Sequence, residues 1–301
     1  MDYDVIVVGQ GIAGLTCANE AARLGMRVAS FEAEFAGGLV VNVNELHGFD
    51  DADGLSGMDH ALQLASGNTK QGVANRQATV TEIQPIEGGF TVVSGEGAIR
   101  SRAVVIATGA RIKRLGVPGE DEFEGRGVSF CADCDGPMFT DSEVVVAGGG
   151  NWAIQDALLL AADCAHVHVV HPFAEPDANA DALALARAEP RIRFHPNGVI
   201  AAILGNEKGV TAVRVRSDDD AESELACSGV FVMGSLEPNG AIAPSAVGRD
   251  ETGHLIVDAN NETAVPGIWA IGQVRAGFGG WLRDAKADAE RVAAAIKARL
   301  G

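Results

Sequence analysis

The 301-residue sequence predicts an α/β fold of two Rossmann-like, three-layer dinucleotide-binding domains, the second inserted into the first. Two glycine-rich segments, "DVIVVGQGIAG" at 4–14 and "EVVVAGGGNWA" at 143–153, each predict a strand, a tight turn and a helix. A strand that suits the first domain, "TAVPGIWAIGQV" at 263–274, comes only after the second unit. The first domain is therefore predicted to span 1–115 plus 241–301, with 116–240 inserted between.

The first glycine-rich segment carries a complete dinucleotide fingerprint. Gly9 suits the tight turn, Gly11 lets the backbone approach a pyrophosphate, and Gly14 lets the helix pack on the strand. The start of the following helix then faces the phosphate charge. Glu32 ends the next strand, about 20 residues on, where an acid usually binds ribose hydroxyls. Strand, helix, strand and acid in this order predict a dinucleotide site.

The second segment repeats the pattern with Gly148, Gly150 and Ala153, followed by a helix and the strand "HVHVVH" at 166–171. Two such units in one chain indicate two dinucleotides, usually a flavin and a nicotinamide. The alternative is a fold that has kept its shape and lost its ligand.

Composition narrows the range of partners and compartments. The chain is 47% hydrophobic, with a formal net charge of −18 and a pI near 4.7. Nucleic acid is not an expected partner, because phosphate binding needs a basic surface. The start "MDYDVIVVG" does not resemble a signal peptide, and no apolar run is long enough to cross a bilayer. An odd count of five cysteines favours a reducing compartment, so a cytoplasmic location is predicted.

The stretch "FCADCDGPM" at 130–138 contains a CxxC pattern with an aspartate directly after it. By itself this pattern fits a redox disulfide, half of a zinc site, or two unrelated core thiols. A zinc site needs four ligands, usually from a second CxxC or a His pair. The sequence has no second CxxC, and no metal site is predicted. Cys17, Cys164 and Cys227 lie in helix or strand patterns, where filling the core is their expected role.

Nearly the whole chain resembles the low-molecular-weight thioredoxin reductases. The similarity is carried by segments such as "FEAEFAGGL" at 31–39, "LGVPGEDEFEGRGVSFCADCDG" at 115–136 and "GVFVMGSLEPN" at 229–239. The resemblance implies FAD in the outer domain, a redox-active CxxC in the inserted domain, and a homodimer. It also implies a disulfide-exchanging partner, either a thioredoxin-like protein or a small dithiol or disulfide.

The resemblance assigns roles to individual residues. Cys134 is implied to face the flavin and Cys131 to exchange with the external disulfide. Asp135 is implied to move the proton as a general acid/base, and it also fits a helix N-cap. The implied FAD-binding residues are Gly9, Gly11, Ile12, Ala13, Gly14, Glu32, Ala33, Gly37, Gly38, Leu39, Asn44, Ala107, Thr108, Gly109, Gly272 and Gln273. The residues of the corresponding NAD(P)H site are Gly148, Gly150, Asn151 and Ala153.

Three departures from the family pattern bear on the cofactors. Pro172 and Phe173 replace the two arginines that hold the 2′-phosphate of NADPH, and Trp152 replaces a small polar residue beside the pyrophosphate position. Gln273 replaces an aspartate on the FAD side. The first two departures leave the use of NADPH or NADH open, whereas FAD is still expected.

Three functions therefore stand as hypotheses. The first is an FAD-dependent disulfide/dithiol oxidoreductase without classical NADPH use, either fed by ferredoxin or running as a dithiol oxidase. The second is an ordinary NAD(P)H-dependent thioredoxin reductase. The third is a non-enzymatic FAD-binding redox sensor.

Overall fold

The computed structural model describes residues 1–301, and tertiary contacts divide them into two compact units. Unit 1 comprises Met1–Arg111 and Glu237–Gly301, and unit 2 comprises Ile112–Leu236. Both units combine parallel sheets with helices, so the α/β fold class predicted from the sequence is confirmed.

Six α-helices and seventeen strands make up the chain. The helices are α1 (Ile12–Arg23), α2 (Gly57–Lys70), α3 (Ala132–Asp135), α4 (Asn151–Leu160), α5 (Ala180–Ala188) and α6 (Leu282–Leu300). The strands are β1 (Tyr3–Val8), β2 (Val28–Glu32), β3 (Ala74–Gln77), β4 (Val80–Ile86), β5 (Gly89–Ser94), β6 (Gly97–Ile106), β7 (Ala110–Ile112), β8 (Val128–Ser129), β9 (Glu143–Ala147), β10 (His166–Val170), β11 (Ile192–His195), β12 (Gly198–Asn206), β13 (Gly209–Ser217), β14 (Glu222–Ala226), β15 (Gly229–Val232), β16 (Leu236–Pro238) and β17 (Ile268–Ala270). No helix combines the length and the apolar character that a membrane span requires.

Unit 1 is built on a seven-stranded sheet in the order β3-β2-β1-β6-β5-β4, with β17 also paired to β6. β1, β2, β3, β6 and β17 run parallel, so their carboxyl ends lie along one edge. β1 alternates between the two faces of the sheet. Val5 and Val7 pack into one hydrophobic core with α1 and α6, whereas Ile6 and Val8 pack into a second core with β4 and β5. This alternation gives the three layers, because a strand buries its successive side chains on opposite faces.

Unit 2 repeats the arrangement around a five-stranded parallel sheet in the order β11-β10-β9-β15-β8. Val144 and Val146 pack against α4, whereas Val145 and Ala147 pack against the antiparallel sheet β12-β13-β14. The acidic segment 218–221 joins β13 to β14. β1 in unit 1 and β9 in unit 2 each end in a glycine turn that leads directly into a helix.

Candidate active site

The glycine turn of unit 1 joins β1 to α1. Gly9 has a φ of +104°, and a Cβ there would lie 2.3 Å from the carbonyl oxygen of Ala107. A Cβ on Gly14 would lie 2.0 Å from the Gly9 oxygen, so both positions require glycine. Gly11 differs, because a Cβ there would meet nothing closer than the Gly37 oxygen at 3.8 Å. The space beside Gly11 is therefore open, and it lies at the start of a helix.

Glu32 fixes the shape of this turn from the end of β2. Its Oε2 accepts a hydrogen bond from the backbone N–H of Gln10 at 2.8 Å, and its Oε1 accepts one from the N–H of Ala33 at 2.8 Å. Gln10 in turn accepts a hydrogen bond from Gly37 N at 2.7 Å. The carboxylate predicted to bind ribose thus also holds the backbone on which a dinucleotide would lie.

Other residues predicted to bind FAD lie around the turn. A Cβ on Gly38 would lie 3.4 Å from the Cα of Gly11, and a Cβ on Gly272 would lie 3.0 Å from the Cβ of Ala13. Ile12, Ala13 and Ala107 are buried, Leu39 lies in the 3-10 helix Gly38–Asn42, and Gln273 is half-buried.

The segment after β6 and Asn44 were also predicted to bind FAD. Asn239 ties down the segment after β6, because its backbone oxygen accepts from Thr108 Oγ1 at 2.7 Å and its N–H donates to the Gly109 oxygen at 3.0 Å. Asn44 is exposed and lies beyond the 3-10 helix. The structure therefore groups the glycine turn with Gly37–Leu39, Ala107 and Gly272.

The grouped residues fit the pyrophosphate of a dinucleotide such as FAD. Gly11 is the N-cap of α1 and provides no side-chain cap, so no side chain accepts from the first backbone N–H groups of the helix, and the space beside Gly11 is open. Donors at a helix start, together with the helix dipole, favour a phosphate.

Unit 2 contains the same turn between β9 and α4. Gly148 has a φ of +150°, and a Cβ there would lie 2.1 Å from the Met233 oxygen. Gly150 has open space around it, and Ala153 is fully buried where the third glycine would be. Asn151 Oδ1 accepts a hydrogen bond from Asn179 N at 2.6 Å, which ties α4 to the segment before α5. Unit 2 therefore has the backbone turn of a second dinucleotide-binding site.

Large apolar side chains and an ion pair lie beside the glycine turn of unit 2. Trp152 and Phe173 are 41% and 51% exposed, so two large apolar groups lie on the surface beside the turn. Arg187 is paired with Glu175, the acid that could otherwise bind an adenosine ribose.

Two further arginines of unit 2 also have partners. Arg191 donates to the carbonyl oxygens of Ala161 and Ala162 at 2.7 and 3.0 Å, and Arg193 lies 3.1 Å from a ring nitrogen of His166. Each of these three guanidinium groups thus already has a partner within the chain.

Cys131 and Cys134 form a disulfide in unit 2. Cys131 is half-buried and Cys134 is exposed. The Cys131 Sγ accepts a hydrogen bond from Cys134 N at 3.1 Å, and Ser129 Oγ accepts one from Cys131 N at 3.1 Å. Ala132 is buried in the core beside α4 and anchors the short helix α3. The disulfide therefore has a fixed backbone and at least one accessible sulfur.

Three carboxyl groups lie on α3 and α4, the helices next to this disulfide. Asp135 is half-buried and occupies the predicted N-cap position of the 3-10 helix Gly136–Phe139, but its side chain forms no capping hydrogen bond. The third group, Asp156 on α4, was not predicted. Burial raises the pKa of the Asp156 carboxyl to about 7, and the nearby negative charge of Asp133 adds to the rise.

Replacing Asp156 with Asn should stabilise the protein in a pH-dependent way. Below about pH 3 the carboxyl group is protonated in the folded and the unfolded chain, so variant and wild type should match. As the pH rises through 7, the wild type must either keep a proton that the unfolded chain has lost or bury a charge. Asp156→Asn should therefore be on the order of 2–4 kcal/mol more stable at pH 8, and less than half of that at pH 5. Urea unfolding at both pH values measures this.

The exposed Asp163, shortly after the same helix, provides the control. Asp163→Asn should change stability little at either pH. An equal gain at pH 5 and pH 8 for Asp156→Asn would show that its carboxyl group does not titrate in this range.

The other three cysteines are buried and carry no disulfide. Burial raises the pKa of Cys17 and Cys227 to about 12 and that of Cys164 to about 11. They are inert at neutral pH, because the thiolate is the reactive form.

Known proteins resemble the whole chain. The family model for pyridine nucleotide-disulphide oxidoreductases matches residues 3–298. A thioredoxin reductase from Treponema pallidum (strain Nichols) is 35% identical over 277 residues, covering 91% of this chain and 90% of the relative. The crystal structure of Lactococcus lactis thioredoxin reductase has a TM-score of 0.91 at 30% identity, covering 98% of this chain and 97% of that one. That of T. acidophilum thioredoxin reductase has a TM-score of 0.90 at 29% identity, covering 99% of each chain.

Proposed function

The chain belongs to the pyridine nucleotide-disulphide oxidoreductase family, and from this premise we propose that Cys131 and Cys134 carry electrons between FAD and an external disulfide or dithiol. It is an oxidoreductase acting on sulfur groups, as its resemblance to thioredoxin reductases implied. The observation that carries the proposal is the disulfide itself, formed within a CxxC whose backbone is hydrogen-bonded in place. FAD supplies a carrier that accepts and returns an electron pair.

The local geometry supports Cys131 as the sulfur that exchanges with the substrate. Its Sγ accepts the backbone N–H of Cys134, and such a bond favours a thiolate over a thiol. In the reduced protein, the Cys131 thiolate attacks one sulfur of the external disulfide, forming a mixed disulfide and releasing the first external thiolate. The Cys134 thiolate then attacks Cys131 Sγ, which restores the internal disulfide and releases the second. The reverse sequence oxidises a dithiol.

Asp135 is the proposed proton carrier for this exchange. It directly follows Cys134, is half-buried, and its carboxylate is not used in a helix cap. The Cys134 thiol must lose a proton before it attacks and regain one when the disulfide is reduced. A carboxylate next in sequence can accept and return that proton as a general acid/base.

Residues of unit 1 provide the proposed FAD site. Glu32 and Gly37 set the turn, and the backbone at Gly11 contacts the pyrophosphate. The remaining contacts are proposed for Gly9, Ile12, Ala13, Gly14, Ala33, Gly38, Leu39, Asn44, Ala107, Thr108, Gly109, Gly272 and Gln273. No metal ion takes part in the proposed chemistry.

The electron source is proposed to be something other than classical NADPH. The family uses NAD(P)H, and Gly148, Gly150, Asn151 and Ala153 retain the backbone of such a site. The side chains around it do not favour a 2′-phosphate, because Pro172 and Phe173 carry no charge and the nearby arginines have other partners. Reduced ferredoxin as donor, or oxygen as acceptor from a dithiol, are the corresponding alternatives.

NADPH should reduce the bound flavin no better than NADH does. Each charged hydrogen bond from arginine to phosphate contributes roughly 1.5–3 kcal/mol, so two missing contacts weaken a micromolar site toward millimolar. NADH has no 2′-phosphate, so its affinity does not depend on these two contacts. Anaerobic rapid mixing with NADPH, NADH, reduced ferredoxin and a dithiol, side by side, identifies the donor. Saturation by NADPH at low micromolar concentration would restore the ordinary NAD(P)H-dependent interpretation.

A variant that introduces arginines at positions 172 and 173 tests whether their absence causes the expected weak preference for NADPH. Pro172→Arg with Phe173→Arg should raise the ratio of NADPH to NADH affinity at least about tenfold. Trp152→Ser alone should affect both nucleotides equally, because it lies beside the pyrophosphate position and not the 2′-position. An unchanged ratio in the double variant would show that these positions do not contact the ribose phosphate.

The proposed partner is a thioredoxin-like protein, as the name of the matched relatives suggests, or a small dithiol or disulfide. The acidic chain favours a partner with a basic face. A homodimer and a cytoplasmic location stay predictions.

A further inference from the structure

A buried ion pair joins α6 to the turn that follows β17. Asp288 is 1% exposed, and its two oxygens accept hydrogen bonds from Arg275 Nε at 2.6 Å and from Arg275 Nη2 at 2.8 Å. The same carboxylate accepts the backbone N–H of Gly272 at 3.1 Å. Asp288 therefore binds both ends of the short stretch 272–275.

The end of this stretch is also held by backbone hydrogen bonds to Leu255, whereas Asp288 is the side chain that binds its beginning. Gly272 has a φ of +69°, which is a left-handed conformation, and Gly272–Val274 is a single 3-10 turn. Arg275 N donates to the Gly272 oxygen at 3.1 Å, so the turn closes on itself. The two-pronged pairing with Arg275 is the strong kind of charged hydrogen bond, because both groups are planar and both are largely buried.

The position of the turn gives the ion pair a functional meaning. A Cβ on Gly272 would lie 3.0 Å from the Cβ of Ala13, so the turn packs on the first residues of α1, next to Gly11. Gln273 follows Gly272 and is half-buried. Its amide makes no hydrogen bond to another residue of the chain, so it is available to a ligand of the glycine turn.

We propose that Asp288 is a positioning residue for FAD, which fixes the Gly272–Gln273 turn so that Gln273 meets the cofactor at the glycine turn. The inference rests on the proposed function, because it takes FAD as the ligand of unit 1. Gln273 stands where the resemblance implies an aspartate. The carboxylate that orders this turn comes instead from Asp288 on α6. The residue that contacts the cofactor can then be a neutral hydrogen-bond donor, Gln273.

Replacing Asp288 with Ala should lower the affinity of the apoprotein for FAD at least about tenfold. The apoprotein is prepared, its fold is checked by circular dichroism, and FAD is titrated by the quenching of its fluorescence. Glu290→Gln is the control, since Glu290 is exposed on the same helix. It should bind FAD as the wild type does. An Asp288→Ala protein that is folded and binds FAD normally would overturn the proposal.

A second variant covers the case in which Asp288→Ala does not fold, since an unpaired buried Arg275 is strongly destabilising. Arg275→Met with Asp288→Leu replaces the ion pair by an apolar pair of similar size, which often preserves a fold. This variant should be folded, should lack the acceptor for Gly272 N, and should still bind FAD at least about tenfold more weakly. Normal FAD affinity in this folded variant would likewise overturn the proposal.

A double-mutant cycle separates positioning from a general loss of structure. Gln273→Ala should weaken FAD binding, and adding Asp288→Ala to it should weaken binding by much less than Asp288→Ala does alone, because both act through the same turn. Fully multiplicative effects would show that Asp288 does not act through Gln273. If the wild-type apoprotein takes up no FAD, the proposed function fails rather than this inference.

Discussion

Replacing Cys131 and Cys134 together with serine will abolish turnover of disulfide and dithiol substrates while FAD stays bound. Serine cannot form or exchange a disulfide, and no other thiol is available, because the remaining cysteines are buried and their pKa values are raised to about 11 or 12. The loss should be at least about a thousandfold, as for other removed nucleophiles. Turnover is measured with a chromogenic disulfide and with a thioredoxin.

Cys227→Ala is the matched control, because it removes a buried thiol of the same unit. It should keep wild-type turnover. Turnover that survives in the double-serine protein would make the CxxC a structural disulfide and would remove the basis of the proposed function.

The single variants distinguish the roles of the two sulfurs. With Cys134→Ser, Cys131 can still attack the substrate but nothing resolves the product, so a stable mixed disulfide should accumulate and be visible by mass spectrometry. With Cys131→Ser, little mixed disulfide should form. Cys134 is the more exposed of the two cysteines in the structure. If the mixed disulfide accumulates with Cys131→Ser instead, substrate attack is assigned to Cys134.

Replacing Gly11 with Val will yield a folded protein without FAD. The protein has space for the side chain, because a Cβ at Gly11 meets only the Gly37 oxygen at 3.8 Å. The valine would instead occupy the space where the pyrophosphate approaches the backbone. FAD affinity should fall at least about a hundredfold, roughly 2.7 kcal/mol. Absorbance of the purified protein and FAD titration of the apoprotein measure this.

Gly150 provides an internal control for this variant. It occupies the same position in the turn of unit 2, where a Cβ would also meet nothing within 4 Å. Gly150→Val should keep the yellow colour and full FAD affinity. Loss of FAD from Gly150→Val, or its retention in Gly11→Val, would contradict the assignment of FAD to unit 1.

The turns of both units could be predicted from the sequence because their requirements are local. Gly9 and Gly148 have positive φ angles and approach a carbonyl oxygen at the end of a neighbouring strand. Only glycine satisfies both conditions, so the spacing of glycines after an apolar strand is informative by itself. α1 begins at Ile12, within the fingerprint itself, because the turn passes directly into the helix.

The missed features depend on tertiary contacts. Asp288 shares the buried face of α6 with Ala285, Ala289 and Val292, and an acid on such an apolar stripe was the available signal of a buried ion pair. Its partner Arg275 lies before the helix begins, so no periodic pattern connects the two. The burial of Asp156 likewise depends on how α3 packs against α4.

The hydrogen-bond partners of the arginines in unit 2 could not be predicted from the sequence either. Arg187 is engaged by Glu175, twelve residues before it, and Arg191 is engaged by two backbone carbonyl groups. From sequence alone each could have replaced the missing phosphate-binding pair. In the structure both guanidinium groups already have partners within the chain.

The central claim is that the Cys131–Cys134 disulfide accepts electrons from the flavin, and an anaerobic reductive titration of the FAD-loaded protein tests it most directly. Flavin and disulfide each take up one electron pair, so wild-type protein should consume two pairs per FAD, whereas the double-serine variant should consume one. The reduced wild type should then return both pairs to a disulfide substrate. Consumption of a single pair by both proteins would show that the disulfide is not connected to the flavin, and would contradict the account.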